Sequence, residues 1–349
     1  MKLYFLFFFL IPLLAFSQNK YHYKNLVMEG GGIRGLAYSG ALEVLEERGI
    51  LQNIENVAGS SAGAIAGLMV SLDYSSSEID SILQTLKIQE FNDGKFFIGK
   101  IKRIRREYGV YKGDRFEKWL GELIKYKTGD ADITFKGLHE LHLKDKRFKN
   151  FFCTGTNISK QKLEMLSWKN WPEMKLRTAV HISGSIPFYF VPVAIDSVGN
   201  EVALHDSSGN YDFFVDGGML CNYPINMFDS CVNGGNPLTS ENVIYNSQTL
   251  GLKLERGEQI DEFDKNITGI APYKIKSMKE YSGAVMNLMM ESINRKSLDL
   301  ANEKGRTIYI SYGDISGRPR KVSLIEKQLL HNYGVAAANK FFMESMAAH

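Results

Sequence analysis

The sequence predicts an α/β fold on a mostly parallel sheet, and three observations lead there. Short apolar runs alternate with helical patterns from Asn25 onward. The first two strand-to-helix turns are glycine-rich, at Gly30–Gly35 and at Gly59–Gly63. The first pair of strands is separated by a helix-length segment, which returns the chain to the same end of a sheet and so favours parallel pairing. At 349 residues the chain is long enough for one large domain or two modest ones. No internal repeat, low-complexity tract or clear linker interrupts it, so one domain over 18–349, ending in C-terminal helices, is the economical reading.

Taken in order, the chain opens with Met1-Lys2, an apolar run Leu3–Leu14 and then Ala15-Phe16-Ser17. A basic start, an apolar core and a small-x-small ending make residues 1–17 a signal peptide cleaved after Ser17. The run falls short of the ~20 residues that a spanning helix needs. No cysteine follows the cut to carry a lipid anchor. The expectation is an exported protein that is periplasmic, outer-membrane-associated or secreted.

The first strand is Asn25–Met28. A helix with Ala37, Ala41, Val44 and Leu45 on one face follows, with Gly49 past its end. A second strand, Ile54–Ala58, leads into a helix running to about Leu72. Its residues Ala64–Val70 are apolar on all sides, which predicts burial. Phe116, Trp119, Leu120, Leu123 and Ile124 keep helical spacing and read as core packing. Further strands are expected at Asn150–Thr154, Asp212–Val215, Thr249–Leu254 and Thr307–Ser311. Helices are expected over Met174–Val180, over Ile275–Leu300 and around His331. A long polar loop, Asp196–Tyr211, precedes the strand at Asp212, and Asn233–Pro237 marks a turn.

Composition excludes several function classes. A hydrophobic share of 44% with 23% charged residues is ordinary for a globular core. A net charge of +3 is too small to imply nucleic acid. Cys153, Cys221 and Cys231 allow at most one disulfide and show no zinc-like spacing with histidine, so neither a metal nor a cofactor is expected.

The chemistry concentrates in three motifs. Gly59-Ser60-Ser61-Ala62-Gly63 is Gly-x-Ser-x-Gly between a short strand and a helix of small residues. That order suits a nucleophile elbow, in which a tight turn exposes a serine beside a helix N-terminus. Ser61 is the candidate nucleophile. Gly30–Gly35 also satisfies Gly-x-Gly-x-x-Gly, with Glu55 about where a ribose-binding acid would be wanted. Glu55, however, starts its strand, whereas a ribose acid belongs at the carboxyl end, and exported proteins meet little nicotinamide cofactor. The alternative is an oxyanion hole from the backbone N–H groups of Gly30, Gly31, Gly32, Ile33 and Arg34. The third motif, Phe213–Gly218, is an apolar strand ending in Asp216-Gly217-Gly218, where an aspartate would face the crevice of an open sheet.

Together these motifs resemble the patatin-like phospholipase family, in a bacterial, exported form. The likeness continues in Tyr108–Asp114, Ile133–Phe135, Ser183–Pro187, Val191-Pro192 and Leu220–Pro224, and so covers most of the mature chain. Glu29 stands where the family often has aspartate, and Phe91–Glu107 matches poorly. The resemblance implies a three-layer αβα fold with a Ser-Asp dyad, Ser61 and Asp216, at the carboxyl ends of the strands. It implies lipid acyl hydrolysis of the phospholipase A or carboxylesterase type, with neither histidine nor metal in the reaction. Its substrate would be a lipid or other acyl ester.

Alternatives stay open at this level. An acyltransferase shares every step up to the acyl-enzyme, and a non-catalytic lipid-binding module would keep the pocket without needing Ser61 and Asp216 together. A triad would need a histidine, for which His181, His205, His331 and His349 are candidates. The residues Lys95–Arg106 interleave Lys and Arg with Phe and Ile, fitting either peripheral membrane contact or a solvated basic face. Phe188-Tyr189-Phe190 fits either an acyl pocket or core packing.

Overall fold

The computed structural model describes residues 21–94, 103–207, 209–232, 234–240, 242–267, 269–294 and 300–347. The expected signal peptide, most of the basic stretch and His349 lie outside the described residues. In chain order the strands are β1 (Asn25–Met28), β2 (Asn56–Gly59), β3 (Gly109–Tyr111), β4 (Asn150–Asn157), β5 (Lys162–Ser167), β6 (Phe188–Phe190), β7 (Val193–Ile195), β8 (Asp212–Asp216), β9 (Ser230–Cys231), β10 (Val243–Ile244), β11 (Thr249–Glu255) and β12 (Thr307–Ser311). The helices are α1 (Tyr38–Glu47), α2 (Ala62–Ser71), α3 (Ser76–Thr85), α4 (Asp114–Thr128), α5 (Phe135–Lys144), α6 (Leu176–Gly184), α7 (Gly257–Asp264), α8 (Met278–Asn294), α9 (Leu300–Lys304) and α10 (Leu324–Ala347).

Five strands, in the order β12-β11-β1-β2-β4, run parallel. β5, β8 and β7 extend this sheet with antiparallel pairings. β1 is buried throughout, because both of its faces are covered. Leu26 and Met28 join Val57, Phe151 and Cys153 in the main core, with residues of α1, α2, α6 and α10. Val27, Ala58 and Phe152 point the other way, against Ile225 and Met227 of a 3-10 turn. Near β12 the same second face is closed by α7, whose Phe263 ring lies 5.1 Å from that of Tyr309. The sheet is therefore mostly parallel with helices on its flanks. Its second helical layer is much the shorter one.

Two helix boundaries differ from expectation, and two elements are additional. The helix expected at Met174 begins at Leu176, because Lys175 is extended and bridges to Thr134. The helix expected from Ile275 begins at Met278. α3 was not foreseen, although Ser75 and Glu78 form a capping box at its start. β5 was also not foreseen; it pairs antiparallel with β4 along six residues. All three cysteines are free thiols. Among the described residues, no helix is long and apolar enough to cross a membrane.

Candidate active site

The elbow forms where β2 ends and α2 begins. Ser61 sits between them at φ 50° and ψ −119°, a strained conformation for a non-glycine residue. Gly63 makes the turn possible: a Cβ there would stand 2.5 Å from the Glu29 carbonyl oxygen and closer still to that of Met28. α2 can therefore start directly above the end of β1. Ser61 is buried, and its backbone N–H donates to Ser183 Oγ at 3.0 Å.

Asp216 reaches Ser61 through strand register. β4 is flanked by β5 on one side, along residues 152–157. On its other side β2 pairs with residues 150–153 and β8 with residues 155–157. The carboxyl ends of β2 and β8 thus meet head-on beside β4, with Gly59 opposite Cys153 and Asp216 opposite Gly155. Asp216 was expected at the end of a strand facing the crevice of a parallel sheet. It lies at the carboxyl end of β8, but that strand runs antiparallel to β4.

The resulting contact is direct. Ser61 Oγ donates to Asp216 Oδ2 at 2.7 Å, and Asp216 Oδ1 accepts the Gly218 N–H at 2.7 Å. Burial pushes the Asp216 carboxyl up to about 6, against the opposing pull of the Ser61 and Gly218 hydrogen bonds. α6 supports both partners. Its Ser183 holds the Ser61 N–H, and the carbonyl of Ser185, just past its end, accepts the Asp216 N–H at 2.9 Å.

The glycine turn is more selective than the sequence reading. Gly30 N–H donates to the Asn222 carbonyl, Ile33 N–H to Gly317 and Arg34 N–H to Gly31. These three of the five expected donors are therefore spent on the fold. Gly31 and Gly32 stand at the opening of the 3-10 turn Gly32–Ala37, where N–H groups have no intrahelical acceptor. The Arg34 guanidinium stacks 3.5 Å from the Tyr312 ring centroid, and its Nε donates to Ile315 O. Asn222, whose role the sequence did not reveal, clamps the turn: its Nδ2 donates to Gly30 O at 3.0 Å and Glu29 Oε1 at 3.2 Å.

Glu29 lies buried beneath this turn. Burial pushes its carboxyl up to about 8, despite the Lys253 ammonium nearby and the hydrogen bond from Leu254 N–H. At neutral pH it is mainly uncharged.

None of the described candidate histidines bonds to the pair. His331 contacts Ser39, Glu43 and Asp80, and His205 bonds to Arg106 O. His181 is buried with no hydrogen bond at either ring nitrogen.

From Ser61 an apolar cleft of about 100 Å³ leads between α2 and α3, past Ile65, Ala66, Leu83 and Leu86 to Phe91 and Phe116. Tyr189 and Phe190 line it too, whereas Phe188 is 75% exposed. The three aromatics therefore divide between pocket and surface. From the basic stretch, Ile104, Arg105 and Arg106 are described and exposed, while Arg103 turns inward to Val110 O.

Comparison with known proteins agrees with this architecture. The patatin-like phospholipase family profile matches residues 26–229. A protein of Acanthamoeba polyphaga mimivirus is 30% identical over 207 residues, 59% of this chain and 61% of that protein. The probable lipid hydrolase 463L of Invertebrate iridescent virus 6 is 28% identical over 231 residues, 66% of this chain and 71% of its own length. The solved structure of VipD from Legionella pneumophila shares the fold, with a TM-score of 0.60 at 17% identity over 93% of this chain and 67% of VipD. The family match takes in the glycine turn, the elbow and Asp216-Gly217-Gly218, over more than half of the sequence, and this chain belongs to the patatin-like phospholipase family.

Proposed function

We propose that this protein hydrolyses acyl esters of lipids, as a phospholipase A or carboxylesterase, through an acyl-enzyme on Ser61. The observation that carries this reading is the 2.7 Å hydrogen bond from Ser61 Oγ to Asp216 Oδ2 at the head of an apolar cleft. In this scheme the acyl chain occupies the cleft and the ester carbonyl lies over Ser61. Ser61 Oγ attacks the carbonyl carbon while its proton passes to Asp216. The oxyanion is met by the Gly31 and Gly32 N–H groups at the glycine turn. Asp216 returns the proton to the leaving alcohol, then takes one from water as that water attacks the acyl-enzyme. Fatty acid leaves and Ser61 regains its proton.

An ordinary aspartate is a weak base for serine. Burial narrows the gap by raising the Asp216 carboxyl to about 6, and the backbone donors lower the energy of the charged intermediate. The test is to incubate purified protein with a p-nitrophenyl ester and with phospholipid vesicles, then map adducts by mass spectrometry. Release of fatty acid from the vesicles with acylation confined to the Ser61 peptide is the expected result. An adduct elsewhere would remove Ser61 from its role. Acyl transfer to an added alcohol in preference to water would reassign the protein as an acyltransferase, and absence of turnover on both substrates would favour a lipid-binding module.

Cleft geometry also predicts chain-length selectivity. Ile65 and Ala66 lie one turn along α2 from Ser61 and form part of the cleft wall. Ile65→Trp should fill the cleft next to the nucleophile. Hydrolysis of a sixteen-carbon ester should then fall about 100-fold, while that of a four-carbon ester stays within about threefold. Equal losses on both chain lengths would show that the acyl chain takes another path.

A further inference from the structure

At α6, three protein segments bring together side chains to which the proposed hydrolysis gives no task. Glu117 comes from α4, His181 from α6 and Glu201 from the loop after β7, and one ligand atom from each lies within 4.8 Å of the other two. We propose that Glu117, His181 and Glu201 form a binding site for a divalent cation of the zinc type.

The imidazole provides the first argument. His181 is 3% exposed, and both of its ring nitrogens lack a hydrogen-bond partner. A buried polar ring left unsatisfied on both sides is costly, and imidazole nitrogen and carboxylate oxygen are both zinc ligands. A neutral imidazole offers a ring lone pair to a metal ion.

Charge is the second argument. Glu117 and Glu201 face each other, while Asp93 and Asp114 add negative potential at His181. Arg177 is the opposing cation, with Nε 3.6 Å from Glu117 Oε1, but its Nη2 is committed to Asp132 at 2.8 Å. Thr178 donates to Glu117 Oε1 and orients that carboxylate.

Geometry requires only a small closure. Two ligands of a tetrahedral zinc lie ~3.4 Å apart, given bonds of ~2.1 Å, so donor atoms within 4.8 Å of one another must close by about 1.4 Å at most. Glu201 is exposed and can swing inward, leaving a further coordination position to water. The site would pin α4 and the β7–β8 connection to α6, the helix that supports Ser61 and Asp216. The metal is assigned a bracing role here, outside the hydrolytic steps.

The test uses the full chain, untagged and stripped with chelator, titrated with Zn2+ by calorimetry and by thermal melting. One Zn2+ per chain and a rise in Tm of several degrees are expected. Glu201→Gln, an exposed change that spares the fold, should weaken binding at least about 100-fold, and His181→Gln should act alike. Ser61→Ala should bind as the wild type does, which separates this site from the dyad. Absence of Zn2+ binding in the wild type would overturn the proposal, and so would equal affinity in Glu201→Gln.

Discussion

Asp216→Asn should lower kcat/KM for acyl esters by about 10³-fold, a typical contribution of general-base catalysis. The asparagine can keep both contacts, accepting the Gly218 N–H through its oxygen and donating to Ser61 Oγ through its amide. The loss would therefore report chemistry and leave the packing intact. The pH profile sharpens the expectation. In the proposed mechanism Asp216 must be ionised to act as base, and burial pushes its carboxyl up to about 6, so wild-type activity should rise through that pH. Glu29 titrates near 8 beneath the glycine turn, and its ionisation would place a negative charge below the oxyanion. Activity should then decline above about 8, giving a bell. Glu29→Gln should remove the alkaline limb, at the loss of one of the two hydrogen bonds that Glu29 accepts from Leu254 N–H and Asn222 Nδ2. A flat profile between pH 5 and 9 would contradict both assignments.

The same shift makes a prediction about stability, with the opposite sign to that of a salt-bridged acid. The folded-state pKa of Asp216, about 6, lies above the reference value of 3.8. Between those values the native state binds the proton more tightly than the unfolded chain does. Stability from this group therefore falls as pH rises across the window, by about 3 kcal/mol in all. Asp216→Asn escapes that cost, so its Tm at pH 8 should equal or exceed that of the wild type. An inactive variant that melted well below wild type would point to structural damage instead.

Gly63→Ala should destabilise the fold. Helix propensity alone would favour alanine by about 1 kcal/mol. Sterics win, because the new methyl would overlap the carbonyl oxygens of Met28 and Glu29 on β1, neither of which can rotate away. α2 would have to lift from the sheet, at a cost of about 3 kcal/mol or more. Ser61 would move with it and hydrolysis should be lost. Gly67→Ala is the internal control one turn along the same helix. There the added Cβ meets the Val57 side chain at 3.2 Å, and the propensity gain offsets a small adjustment. Denaturant melts should show a lowered midpoint for Gly63→Ala and a near-normal one for Gly67→Ala. Similar midpoints for the two would refute the close approach of α2 to β1.

The sequence determined by itself the parts whose signals are local. The elbow at Gly59–Gly63 was legible because a tight turn demands small residues at fixed offsets. Its buried helix showed as an unbroken apolar run, since both sheet faces are covered. β1, β11 and β12 were found within a residue of their ends for the same reason. Three features needed the tertiary structure. β8 meets β2 end to end only because β4 is long enough to pair with both, and no short-range pattern encodes that register. Which N–H groups of the glycine turn stay unspent depends on Asn222 and Gly317, both distant along the chain. Glu117, His181 and Glu201 showed no ligand spacing because they converge from two helices and a loop. Local backbone geometry is written in adjacent residues, whereas proximity between distant side chains is decided by how the sheet is assembled.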